Sequence, residues 1–296
     1  MTREERGRLF AVLGAPIGHS RSPLMHTAAF EALGLPHMYV ALQVLPPELG
    51  TVLRSAAVLG FGGVNLTVPH KQAALDLMDG LSPEVQRIGA LNTVCFKKDR
   101  LVGHNTDGIG FMRALDELRG PPLRQVMVLG TGGASLAVVD ALLEGTFGGQ
   151  DALLDVVWVS RNPKGVRHAF ASHARVKMRG YEWLARRGGS FSGTRGARPF
   201  QLLVNTSIVG MGGGPKEFPQ KFELSFLEPG SRVVDLVYPR PAGGLLDRAE
   251  ARGMTVQSGL PMLQWQGLEA LQLWLNRPLG PDIARLMRDA LGLKSS

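Results

Sequence analysis

The pentapeptide Gly130-Thr131-Gly132-Gly133-Ala134 constrains the fold of this chain more than any other stretch. It joins an apolar run, Gln125–Leu129, that reads as a buried strand to a helical run, Ala134–Leu143. A second apolar strand, Asp155–Val159, follows. In that setting glycines let the backbone bend sharply and approach a pyrophosphate, whose charge meets the helix N-terminus. Gly130, Thr131, Gly132, Gly133 and Ala134 are therefore candidates for holding a dinucleotide. Ser135 stands where the third glycine of G-x-G-x-x-G usually falls, and it is still small. An ordinary tight strand-to-helix turn is the competing reading.

The residues after the second strand choose between cofactors. An Asp or Glu there would accept hydrogen bonds from a ribose 2′-hydroxyl. This chain has Ser160-Arg161-Asn162-Pro163-Lys164 instead. The Arg161 guanidinium can fork onto a 2′-phosphate, with Lys164 as a second charge, which favours NADP over NAD. A solvated loop arginine is the bland alternative.

Strands and helices alternate through the rest of the chain. Leu9–Leu13, Met38–Leu42 and Val64–Val68 read as strands. Segments from Ser22 (as N-cap, with Pro23 at N1) and over Pro47–Leu59 read as helices. Leu91–Phe96 and Leu101–His104 form a hairpin pattern. Ile109–Leu118 reads as a helix connecting two domains. Leu202–Asn205 and Arg232–Val237 read as further strands. At the C-terminus Leu268, Leu271 and Leu275 share one helical face, and Ile283, Leu286, Met287, Ala290 and Leu291 another. Arg186–Pro199, rich in Arg, Gly and Ser, reads as a mobile loop or insertion. The alternation predicts an α/β fold with a mostly parallel sheet.

Composition sets the outer limits. With 296 residues, 44% hydrophobic and 20% charged, the chain can bury one large core or two ordinary ones. Cys95 is the one cysteine, so no internal disulfide forms, and a reducing, cytoplasmic compartment is expected. The charged N-terminus lacks a signal-peptide pattern, and no apolar run is long enough to span a bilayer. Lys and Arg exceed Asp and Glu by 33 − 25 = 8. Such a charge suits anionic ligands and solubility. The basic residues are scattered and no nucleic-acid-binding module appears, so no nucleic acid is expected as a partner.

Polar side chains gather at strand ends, where parallel sheets bind ligands. They lie in Gly18-His19-Ser20-Arg21-Ser22-Pro23, in Asn65-Leu66-Thr67-Val68-Pro69-His70-Lys71, and in Asn92-Thr93 with Asn105-Thr106-Asp107-Gly108. Ser22 and Asp107 also make good helix caps, and an isolated lysine is usually solvated. It is their recurrence at strand ends that points to a site.

These stretches resemble the shikimate dehydrogenase family. The matching segments are GAPIGHSRSPLMH (Gly14–His26), GVNLTVPHK (Gly63–Lys71), GALNT (Gly89–Thr93), NTDG (Asn105–Gly108) and GTGGAS (Gly130–Ser135). They continue with LVNTSIVGM (Leu203–Met211), DLVY (Asp235–Tyr238) and GLPMLQWQ (Gly259–Gln266). They keep the family's order and cover nearly the whole chain. The resemblance implies reversible NADPH-dependent reduction of 3-dehydroshikimate to shikimate, in aromatic amino-acid biosynthesis. It implies a Lys71–Asp107 catalytic pair, with Ser20 and Ser22 on the substrate carboxylate. Thr67, Asn92, Tyr238 and Gln266 would contact ring hydroxyls or the carboxylate, and Leu236 and Gly259 would line the nicotinamide side. Elementary chemistry agrees: a ketone taking up hydride develops negative charge on oxygen, and a lysine ammonium can stabilise it and supply the proton.

The sequence departs from the family at a few points. The usual N-R-T is Ser160-Arg161-Asn162, and the next basic residue is displaced to Lys164. Thr27 follows His26 where Asn is common. Pro239-Arg240-Pro241 and Gly243 replace the usual residues after Tyr238, which predicts altered loop geometry with the chemistry kept.

The expected architecture is two α/β domains with a cleft that closes over the ligands. Residues 1–108 and 259–296 form a substrate-binding and catalytic domain. Residues 109–258 form a Rossmann-like NADP-binding domain. The expected ligands are NADP(H) and shikimate or 3-dehydroshikimate, with no metal and no membrane, and a homodimer is the assembly considered. Three other readings stay open at this point: a quinate-accepting or NAD-using paralogue, a non-catalytic dinucleotide-binding regulator, and a basic nucleic-acid-binding protein.

Overall fold

Strands alternating with helices build two six-stranded sheets, one in each of two units. The computed structural model describes residues 7–98, 100–144, 154–166, 168–187 and 199–293. One unit comprises Met1–Arg113 with Leu260–Ser296, and the other Ala114–Gly259. The strands are β1 (Leu9–Gly14), β2 (Met38–Gln43), β3 (Gly63–Leu66), β4 (Gly80–Leu81), β5 (Thr93–Lys97), β6 (Arg100–His104), β7 (Gln125–Leu129), β8 (Asp155–Ser160), β9 (Val176–Gly180), β10 (Phe200–Asn205), β11 (Leu227–Asp235) and β12 (Thr255–Ser258). The helices are α1 (Ser22–Ala32), α2 (Leu49–Val58), α3 (His70–Ala73), α4 (Pro83–Ile88), α5 (Asp107–Asp116), α6 (Gly133–Glu144), α7 (Tyr181–Arg187), α8 (Leu245–Glu250), α9 (Leu260–Leu275) and α10 (Pro281–Ala290).

The first sheet has the order β2-β1-β3-β5-β6-β4. β1 runs parallel to β2 and β3, and β4 parallel to β6, whereas β5 is antiparallel to β3 and β6. Both faces of β1 are covered, and its residues alternate between them. Phe10 and Val12 pack with Met25, Phe30, Tyr39, Leu268, Leu271 and Met287. Ala11 and Leu13 pack with Leu53, Val64, Leu66, Val94 and Leu101. The C-terminal helices thus complete the core that the first strand begins.

The second sheet is parallel throughout, in the order β12-β11-β10-β7-β8-β9. Strand order reverses between β7 and β10, the place where doubly wound sheets open a ligand crevice at the strand C-termini. Met127, Leu129, Val157, Val159, Leu203 and Val233 are buried together on one face.

Several local expectations need correction. Ser22 is the first residue of α1, with Arg21 at the cap position and no side-chain cap bond. The Ser20 hydroxyl accepts the Ser22 N–H at 3.3 Å, so the upstream serine does part of the work expected of Ser22. Asp107 likewise opens α5 from inside the first turn and is not its cap. The strand expected over Val64–Val68 stops at Leu66, because Thr67 to Pro69 turn into α3. Leu286 is 41% exposed, while Ala284, Met287 and Leu291 carry the buried face of the last helix. Of the segment read as a loop, Arg186 and Arg187 end α7, and residues 188–198 lie outside the described residues.

Candidate active site

The chain after β3 turns through Thr67, Val68 and Pro69 into α3, a single turn that presents Lys71. That turn is anchored on both sides. The His70 ring bonds the Val44 carbonyl at 2.8 Å, and the Leu91 N–H donates to the Lys71 carbonyl at 2.8 Å. Lys71 Nζ donates to Asp107 Oδ2 at 2.5 Å. The two side chains are 13% and 5% exposed, so the pair is largely withdrawn from water. Asp107 opens α5, where helix N-terminal amides favour a carboxylate, and its own N–H is held by Asn105 Oδ1 at 3.0 Å.

The other carboxylate oxygen belongs to a buried amide network. Asn92 Nδ2 donates to Asp107 Oδ1 at 2.9 Å, to Thr106 Oγ1 at 3.0 Å and to Gln266 Oε1 at 3.1 Å. Two hydrogens shared among three acceptors leave that corner short of donors. The Thr106 N–H donates to Asn92 Oδ1 at 2.8 Å and fixes which way the Asn92 amide faces. Asn65 supports the network from below, donating to the Asn92 carbonyl at 3.1 Å and to Thr93 Oγ1 at 3.0 Å, while Tyr39 donates to Asn65 Oδ1 at 2.7 Å. Glu84 braces the turn that delivers Asp107. Burial works against its charge, but bonds from His104, Ser82 and the Asn105 N–H hold its carboxyl at about 2.

Ser20 sits on the loop after β1, and Ser22 opens α1 at the end of that loop. That loop is tied to the loop after β3 by the bond from the Ala15 N–H to the Val68 carbonyl, 3.0 Å. Adjacent parallel strands thus bring both serines and Lys71 to one end of the first sheet. Thr67 is half-buried, its N–H bonded to the Leu13 carbonyl at 2.9 Å. Tyr238 lies in the other unit, just past β11, and is half-buried there.

In the second unit the glycine turn follows β7. Gly130 has φ +102°, and a Cβ there would lie 2.9 Å from the Ser207 amide nitrogen, so only glycine fits. A Cβ on Gly132 would meet nothing within 4 Å, which leaves open space in front of the turn. Gly133 starts α6 and Ala134 follows within it. Thr131 Oγ1 lies 3.5 Å from Ser160 Oγ at the end of β8. Asn162 Oδ1 caps the short turn Pro163–Gly165, accepting the Gly165 N–H at 3.1 Å. Arg161 and Lys164 are exposed and make no ion pair among the described residues. Leu236 and Gly259 follow the ends of β11 and β12, and a Cβ on Gly259 would fall 2.2 Å from the Leu236 carbonyl. Nearby, burial lifts the Asp235 carboxyl to about 6 despite bonds from the Val237 N–H and the Asn205 amide.

An open glycine turn at a helix N-terminus, followed by two exposed cations without an ion pair among the described residues and no carboxylate at the next strand end, suits a dinucleotide bearing a 2′-phosphate. Sequence reasoning left Asn65, Thr106 and Tyr39 without roles. Asn and Thr at strand ends read equally well as turn formers, and partners so distant in the chain leave no spacing signal.

An all-parallel, doubly wound sheet with this turn in one unit, and a buried ammonium–carboxylate pair in the other, define an α/β oxidoreductase of the NADP-dependent class. A family model described as the shikimate dehydrogenase substrate binding domain matches residues 12–94. The NADP(+) shikimate dehydrogenase of Thermus thermophilus is 43% identical over 293 residues, covering 96% of this chain and 99% of that protein. That of Citrifermentans bemidjiense is 39% identical over 276 residues, covering 93% and 92%. The crystal structure of the Thermus thermophilus shikimate 5-dehydrogenase in complex with NADP(H) and shikimate matches with a TM-score of 0.75 at 38% identity, covering 96% of this chain and 99% of that one. The chain belongs to the shikimate dehydrogenase family.

Proposed function

We propose that the protein catalyses the reversible reduction of 3-dehydroshikimate to shikimate with NADPH, using Lys71 and Asp107 as its acid–base pair. The observation that carries this reading is the short Lys71–Asp107 contact tied through Asn92 to Gln266. A bare ion pair could be structural, but this one is continuous with unsatisfied polar capacity at a sheet's ligand-binding end.

NADPH, when bound, supplies hydride to the carbonyl carbon. Lys71 stands as the ammonium donor for the oxygen that becomes negative, and it takes the proton back when the alcohol is oxidised. Asp107 holds the ammonium in place. Asn92 and Gln266 meet ring hydroxyls, whose added donors and acceptors would complete the Asn92 corner. Ser20 and Ser22 take the carboxylate through their hydroxyls, and Thr67 and Tyr238 add further contacts. Gly130 to Ala134 hold the pyrophosphate, with Ser160, Arg161, Asn162 and Lys164 at the 2′-phosphate and Leu236 and Gly259 beside the nicotinamide.

In this reading residues 1–108 with 259–296 bind substrate and residues 109–258 bind NADP(H). A cytoplasmic setting fits the buried Cys95. Among the described residues no helix is long and apolar enough to cross a membrane. A homodimer formed along the β2 edge fits the exposure of Met38 there, 66%, and light scattering of the purified protein tests it.

The deciding assay follows NADPH formation from shikimate and NADP⁺, wild type beside Lys71→Ala. Removing a general acid–base group lowers turnover by at least about a hundredfold, with little change in shikimate binding. An unaltered rate removes Lys71 from the mechanism. Quinate and NAD in parallel assays test the substrate and cofactor preference.

A further inference from the structure

We infer that Trp158 and Ser135 are positioning residues for the cofactor, acting by fixing the orientation of the Gly130–Thr131 peptide. The inference rests on the dinucleotide reading of this turn and adds the device that aims it.

The Gly130 carbonyl accepts two hydrogen bonds from side chains. Ser135 Oγ donates to it at 2.7 Å and Trp158 Nε1 at 2.6 Å. Trp158 Nε1 also lies 2.8 Å from Ser135 Oγ, so the three groups close a small triangle. Trp158 and Ser135 are both 0% exposed. A carbonyl oxygen has two lone pairs, and here both are engaged on the inner side of the turn. In a trans peptide the C=O and the next N–H point in opposite directions. Holding the Gly130 carbonyl inward therefore aims the Thr131 N–H outward, toward the open space in front of Gly132 where an anion can approach.

The alternative orientation is unfavourable on two counts. A flipped peptide would present its carbonyl oxygen to the pyrophosphate. It would also take from two fully buried side chains the carbonyl that accepts from both, leaving the indole N–H only Ser135 Oγ and the Ser135 hydroxyl without the acceptor it now uses. Glycine at 130, with its positive φ, is conformationally free enough to permit such a flip, so the restraint has to come from side chains. Ser135 thus has a use beyond being small. The serine that replaces the usual third glycine supplies one of the two bonds.

The test measures binding of NADPH and, separately, of shikimate by calorimetry. It uses wild type, Trp158→Phe, Ser135→Ala and the double variant. A further chain carries benzothienylalanine at position 158, which keeps the bicyclic shape and lacks only the N–H. Each single change is expected to weaken NADPH binding about three- to tenfold, the range of one hydrogen bond, and the double variant more. Shikimate binding should stay as in wild type. Unaltered NADPH affinity in all variants overturns the inference, as does parallel weakening of NADPH and shikimate, which marks a general structural role. If Trp158→Phe does not fold, the benzothienyl chain and Ser135→Ala decide by the same criteria. Failure of wild type itself to bind NADPH would sink the dinucleotide reading and this inference together. Wild-type binding with unaltered variants sinks this inference alone.

Discussion

His26 shows how a single side chain can set a protein's acid limit. Its ring is fully buried on α1, lies 4.2 Å from the Tyr39 ring in a near-parallel stack, and has no hydrogen-bond partner on either nitrogen among the described residues. Burial drives its pKa from 6.5 down to about 3. As pH falls below 6.5 the unfolded chain takes up a proton that the folded chain refuses, so this residue removes stability progressively down to pH 3. The linked loss reaches about 3 kcal/mol near pH 4. His26→Leu should therefore flatten the acid limb of the stability curve, seen as a lower midpoint in a circular-dichroism pH titration. An unmoved midpoint would rule the histidine out as the trigger. At this scale the sequence was only partly legible. The family resemblance paired Lys71 with Asp107 and put Asn92 and Gln266 at the substrate, but it did not show that Asn92 and Gln266, 174 positions apart, share one hydrogen bond. Pairing across such a separation comes from the sheet and the C-terminal helix meeting in space.

Elements position the site through close backbone approach. Gly110 lies inside α5 three residues after Asp107, and a Cβ there would fall 2.6 Å from the Gln266 amide nitrogen and 2.9 Å from its Cα on α9. An added methyl meets main chain, which cannot move aside as a flexible side chain can. Alanine is usually the better helix former by about 0.5–1 kcal/mol, so crowding and propensity make opposite predictions here. Crowding should win: Gly110→Ala is expected to cost about 1–3 kcal/mol of stability and to raise the KM for shikimate by shifting Gln266. Thermal unfolding and steady-state kinetics on that variant check both. A rise in melting temperature would show that the helices are free to part. Legibility again followed physics. β7, α6 and β8 were visible because both strands are continuous apolar runs around a glycine turn. β9, Val176–Gly180, alternates apolar with charged residues over only four positions at the sheet edge, and β12 has four residues, so both runs are too short to stand out from their surroundings.

At the scale of the whole molecule, the chain enters the second unit within α5 and leaves it just before α9. Ala114–Gly259 is one uninterrupted segment carrying all six strands of its sheet. The other unit needs two distant pieces. Phe10, Met25 and Phe30 are covered by Leu268, Leu271 and Met287 from the far end of the sequence. An isolated 114–259 fragment is expected to unfold cooperatively on heating, and a 1–113 fragment to show no cooperative transition. Circular-dichroism melts of both decide, and a sharp transition in the second would show that the C-terminal helices are dispensable.

This split arrangement also bears on how the chain is made. While the ribosome is still working through the middle of the message, one apolar face of the first sheet is covered by α1 alone, because α9 and α10 do not yet exist. The earliest-made half must wait, exposed, for the last-made helices, so a prematurely terminated product would present Phe10 and Phe30 to any chaperone or neighbouring chain that meets it.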